Sequence, residues 1–114
     1  LLGWINELNK IINKNKQKKI ALYPASHLTF DALLNSNLQK ANVIGMYDLN
    51  EKKHGKSFLN TRVFKPEKLK VDNPDIIFIF TLAYEPEIRE SFNRMGLKSE
   101  IISINDLIKK NNSL

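Results

Sequence analysis

Ser26, His27 and Asp31 put a hydroxyl, an imidazole and a carboxylate in one short segment, the groups that acyl-transfer enzymes use to activate a serine. Their spacing argues against that use. Such groups converge from separate loops, whereas His27 and Asp31 stand four apart on one helix and read as a solvated pair. His54, between Lys53 and Gly55, reads as an exposed turn residue. Neither histidine has the company of carboxylates and imidazoles that a metal needs, so no metal ligand and no catalytic residue is expected. A different chemistry suits the surrounding pattern. The run from Lys19 to Phe30 reads as a buried strand passing through a tight turn, Tyr23-Pro24-Ala25-Ser26-His27, into a helix start, where free amides and the helix dipole hold phosphate. The glycines usual in such a turn are missing, and Pro24 has no N–H to offer. Asp48 lies 24 residues beyond Pro24, near the spacing of about 20 at which a carboxylate grips a ribose hydroxyl. Thr81, Leu82 and Tyr84 form a second loop that offers hydroxyl and stacking contacts.

Positioning these residues requires a layered scaffold, and the chain supplies its elements. Trp4, Ile5, Leu8, Ile11 and Ile12 recur at three- and four-residue spacing, which predicts an amphipathic helix from Gly3 to about Asn13. The polar run Asn13 to Lys18 leads into strand one, Lys19 to Tyr23. A helix starts near Ser26, a good N-cap, turns Phe30, Leu33 and Leu34 inward, and ends at Asn35-Ser36-Asn37. Strand two is Asn42 to Tyr47, followed by a charged turn from Leu49 to Lys56. Thr61 to Phe64 is strand three, and Lys65 to Leu69 is one helical turn opened by Pro66. Asp75 to Phe80 is a continuous apolar run that must be covered on both faces, which places it in the sheet's middle. Pro86, flanked by Glu85 and Glu87, opens a helix that buries Ile88, Phe92 and Met95 and closes at Gly96. Glu100 to Ile104 is strand five, and Asn105 to Ile108 open a short final helix.

Alternating strands and helices imply parallel βαβ units with right-handed crossovers. The predicted fold is α/β, a three-layer Rossmann-like sandwich with a five-stranded, mostly parallel sheet in the order 3-2-1-4-5. Residues 1–114 form a single domain, with a leading helix and linker over 1–17 and the α/β core over 18–108. Ligands of such sheets bind outside the carboxyl ends of the strands, where the order reverses. The loops at Tyr23 to Leu28 and Thr81 to Glu85 meet there.

Composition narrows the partners. At 114 residues the chain can bury roughly 65% of its unfolded surface, enough for a core without staples. The absence of Cys excludes disulfides and thiolate chemistry and favours a cytoplasmic setting. No apolar run approaches the ~18–20 residues of a membrane span, and the start shows no leader pattern, so a soluble protein without membrane contact is expected. Leu1 in place of Met suggests a piece of a longer chain. The net charge of +6 raises nucleic acid as a partner. However, the basic residues are lysines apart from Arg62, Arg89 and Arg94, and are scattered, whereas base and phosphate readout favour arginine. No nucleic-acid partner is expected.

The run Ile20 to Ser26, then Leu33-Leu34-Asn35, then Ile44 to Asp48 with Lys53 and Gly55, then Pro74 to Ile79 and Glu85 to Ile88 resembles a known family. It is the Rossmann-like accessory domain of bacterial nucleotide-sugar-modifying proteins. The nearest-looking members are the C-terminal domain of sugar C-methyltransferases and the N-terminal domain of sialic-acid-type sugar acyltransferases. The resemblance covers roughly Lys18 to Asp106 and departs from the family at Pro24, where a glycine is usual. It implies a non-catalytic module of a larger protein in surface-glycan metabolism, holding a nucleotide, a nucleotide-sugar or NAD through Tyr23, Pro24, Ala25, Ser26, His27, Asp48, Thr81, Leu82 and Tyr84. Its partners would be other domains of the parent protein. Two further readings stand beside it: a degenerate fold kept for interaction or dimerisation through the Trp4 to Ile12 helix, and an NAD-dependent oxidoreductase domain.

Overall fold

The inner strands turn apolar side chains to both faces of the sheet, and the layers follow from that alternation. The computed structural model describes residues 2–113; the inference drawn from Leu1 and the domain limits at 1 and 114 fall outside them. Helix α1 spans Gly3–Lys14, strand β1 Ile20–Tyr23, α2 His27–Asn35 and β2 Val43–Tyr47. A short hairpin follows, β3 at Ser57–Phe58 and β4 at Thr61–Phe64, then α3 at Leu69–Asp72 and β5 at Ile76–Ile79. Helix α4 spans Glu85–Arg94, β6 Glu100–Ser103 and α5 Ile104–Asn111.

The sheet runs β3-β4-β2-β1-β5-β6, parallel throughout except for the β3–β4 hairpin. The five expected strands are therefore β1, β2, β4, β5 and β6, in the expected order. Two details differ. The sheet has a sixth strand, β3, and its middle is held by β2 and β1 rather than by the Asp75 to Phe80 run. Strand β5 is apolar on both faces because helices cover both, and it sits one place in from the β6 edge.

Ile20 and Leu22 of β1, Met46 of β2 and Phe78 of β5 face α1, α2 and α5. Ala21, Tyr23, Tyr47, Ile77 and Ile79 point the other way, onto Leu69 of α3 and Phe92 of α4. Helix α1 is part of the first layer: Ile5, Leu8 and Ile12 are buried in the domain's own core, on the order of 1.5–3 kcal/mol for each side chain. Leu34, expected inward, is 54% exposed, while Thr29, Ala32 and Leu33 fill that side of α2. The Cα radius of gyration of 13.1 Å is that of one domain of this length, roughly 13 Å. No helix among the described residues is long and apolar enough to cross a membrane.

Candidate functional site

Strand β1 stops at Tyr23 because Pro24 cannot donate to the ladder, and α2 starts where Ser26 caps it. Ser26 Oγ accepts the Thr29 amide at 3.4 Å and donates to the Phe80 carbonyl at 3.0 Å, tying the turn to the end of β5. The Thr29 hydroxyl donates to the Pro24 carbonyl. The Tyr23–Pro24 peptide is cis.

Asp48, at the end of β2, reaches across to the same turn. Its Oδ2 accepts the Ala25 amide at 2.9 Å and its Oδ1 the Asn50 amide at 2.8 Å. Lys53 Nζ donates to the Ala25 carbonyl at 2.8 Å and stands 3.6 Å from Asp48 Oδ2. His54 Nε2 donates to the Asp48 carbonyl at 2.6 Å, so this imidazole is a loop fastener rather than a free turn residue. The expectation that Pro24 to His27 aim their amides into an open crevice is thereby corrected at Ala25. That residue is only 2% exposed, and its N–H belongs to Asp48. A phosphate in the expected cradle finds neither that donor nor one on Pro24.

Beside this latch the carboxyl ends of β1, β2 and β5 open onto a cleft of about 410 Å³. Tyr23, Pro24, Asp48 and Leu49 line it from the β1 and β2 ends, and Thr81, Ala83 and Tyr84 from the β5–α4 loop. Helix α4 supplies Glu87, Ile88, Ser91 and Phe92, and Pro66 completes the wall. The charged groups in this lining are Asp48 and Glu87, and no Lys or Arg is among them. Burial, then the charge of Asp48, pushes the Tyr23 phenol above its usual 10.0, so it stays a neutral donor. Its ring meets Phe92 edge-on at 5.2 Å.

Tyr84 stands out in its backbone. Its φ of 65° lies in the left-handed region, which costs a non-glycine residue roughly 1 kcal/mol, and its side chain is 74% exposed at the cleft mouth. The Thr81 hydroxyl is engaged within its own loop, donating to the Ala83 carbonyl at 3.2 Å and accepting its amide at 3.3 Å.

The nine expected contact residues thus divide. Tyr23, Pro24, Asp48, Thr81 and Tyr84 come together in one cleft. Ala25, Ser26 and His27 line a separate hollow of about 340 Å³ with Phe30, Lys53 and Lys56. Leu82, 60% exposed, lines neither. The expected His27–Asp31 pair is not formed; the His27 ring packs edge-on against Phe30 at 6.3 Å. What the sequence reading missed is the α4 wall. Tyr84, Glu87, Ile88 and Ser91 fall at three- and four-residue steps, so one helical stripe runs along the cleft, a signal readable from spacing.

A family model described as C2185-like, N-terminal, matches residues 16–103. No curated protein sequence matches the chain. Among solved structures, the crystal structure of RSP, a Rex-family repressor, aligns with a TM-score of 0.63 at 16% identity, covering 94% of this chain and 63% of that one. The crystal structure of RSP in complex with beta-NADH aligns with a TM-score of 0.62 at 16% identity, covering 94% and 64%. At this identity the likeness shows a shared Rossmann-like α/β fold, and the chain spans just under two thirds of the length of those structures.

Proposed function

The chain belongs to the C2185-like N-terminal family, and for this member we propose a non-catalytic binding module whose carboxyl-edge cleft holds the nucleoside part of a nucleotide or nucleotide-sugar. The observation that carries the reading is the cleft's lining. It lies where doubly wound sheets hold ligands, with the exposed Tyr84 ring to pack on a base and the buried Tyr23 in the cleft wall. Asp48 lies beside them, and a carboxylate has about four lone-pair sites, so the two amides it accepts leave room for a ribose hydroxyl. Two ligand classes come forward. The solved neighbour with beta-NADH supports NAD(H), and the resemblance of Ile20 to Ser26 and Ile44 to Asp48 to nucleotide-sugar-modifying domains supports nucleotide-sugars within a larger carbohydrate-handling protein. Calorimetric titration with NADH, CoA, nucleotide-sugars and free nucleosides tests this. Saturable heat with at least one is expected, and silence across the panel at millimolar ligand overturns the reading.

A second reading, an interaction unit, draws on Leu49 and Leu82, which stand 72% and 60% exposed beside Tyr84. The apolar face of α1 does not serve it, being covered by the domain's own sheet and α5. On this reading, replacing Leu82, which lines neither hollow, by Ser weakens association in sedimentation velocity and leaves ligand titrations unchanged.

A further inference from the structure

We propose that the cleft recognises its ligand without reading phosphate, so that base and ribose supply the affinity and added phosphate gains nothing. This rests on the nucleoside reading above and specifies its chemistry. Two independent observations carry it.

The first is the side of the turn that faces the cleft. In a parallel sheet the natural phosphate donors are the amides between β1 and α2. Here Pro24 has none, the Ala25 amide is held by Asp48 at 2.9 Å, and Ser26 and His27, whose amides open α2, line the separate hollow and not the cleft. Lys53, the nearest cation to the latch, is turned onto the Ala25 carbonyl and Asp48 and does not line the cleft.

The second is the sign of the lining. Asp48 and Glu87 are its charged members, and the rest is aromatic, apolar or hydroxyl. A phosphate brought to this cleft meets the unscreened Glu87 and an Asp48 whose charge Lys53 only partly offsets from outside the lining, whereas base N–H groups and ribose hydroxyls meet acceptors. The predicted ligand class is therefore a purine or pyrimidine nucleoside moiety, with any phosphate directed to solvent.

Calorimetric titrations of the whole chain with adenosine, AMP and ADP, and with uridine, UMP and UDP, at low and at half-molar salt, test the inference. A nucleoside should bind as tightly as its diphosphate or, at low salt, roughly threefold tighter, the scale of a repulsion between partly exposed like charges. That gap should close as salt screens the carboxylates. Glu87→Gln, on an exposed helix position, should narrow the gap at low salt; where a gap is seen, one that Glu87→Gln leaves unchanged argues against the proposal. A diphosphate that binds tighter than its nucleoside, with affinity lost on adding salt, overturns the proposal while leaving the nucleoside cleft standing. Silence from nucleosides and nucleotides alike overturns the cleft reading and this inference with it.

Discussion

Replacing Asp48 by Ala removes the acceptor of two amides, and the Ala25 N–H is too deeply buried to find water in exchange. A buried donor left unpaired costs about 1–3 kcal/mol. The lost ion pair adds little, because the Lys53 side chain is 42% exposed. Asp48→Ala should therefore destabilise the fold by about 2–3 kcal/mol, which for a chain of this size lowers Tm by roughly 10 °C. Asp48→Asn should cost less, since its carbonyl can still accept the Ala25 amide. Thermal unfolding by circular dichroism measures both, and an Asp48→Ala protein with unchanged Tm would mean that the latch does not stabilise the turn. The residue was legible in the sequence as an acid ending a strand near the turn. Its engagement was not, because a bond between residues 23 apart exists only through the parallel register of β1 on β2.

Among the elements, α4 joins site and scaffold. Tyr84 occupies its N-cap position in the left-handed region, and its side chain makes no capping bond there. Tyr84→Gly removes that backbone strain and the ring together, so it should leave stability equal or about 1 kcal/mol higher while weakening nucleoside binding. Chemical denaturation alongside titration separates the two effects, and loss of both stability and binding would show the ring to be part of the core. The helix itself was readable from Pro86, its flanking glutamates and Gly96, whose φ of 74° suits a terminating glycine. The β3–β4 hairpin was not readable. Its two-residue turn is Leu59-Asn60, with φ of 48° and 64°, where such turns ordinarily advertise themselves as Asn-Gly or Asp-Gly. Strand β3 is also only two residues long, held by pairing to β4 and by the Phe58 ring stacked on Phe30 at 4.3 Å. Helix α1 shows the limit of periodicity from the other side. An apolar stripe says that a face is covered, and only the folded chain shows that the cover is the domain's own sheet and α5.

Across the molecule, the doubly wound order was legible because apolar runs, Pro and Gly punctuation and right-handed crossovers leave few alternatives. The division of the expected contact residues between two hollows was not, since it depends on which way each side chain leaves the β1–α2 turn. The fold's acid response follows from two carboxylates that link layers. Burial pushes Asp72 up, but hydrogen bonds from Lys68 and Tyr47 and the nearby lysines outweigh it and hold the group below its usual 3.8. Glu85 is raised by burial and lowered further by Ser103, Asn105 and Arg89, to a net position below 4.5. A carboxyl with a depressed folded pKa stabilises at pH above its unfolded value and loses that contribution as pH falls through the folded one. Stability should thus be level above about pH 5 and decline below it, with a shallower decline in an Asp72→Asn, Glu85→Gln double variant; an equally steep decline would assign acid sensitivity elsewhere. The central claim, that a nucleoside moiety sits at the carboxyl edge between the β2 end and α4, is tested most directly by amide chemical shifts in a titration with nucleosides. The account predicts saturable shifts at Leu49, Ala83, Tyr84, Glu87 and Ser91 with little change at His27, Leu28 and Lys56. Shifts confined to His27, Leu28 and Lys56 would contradict it.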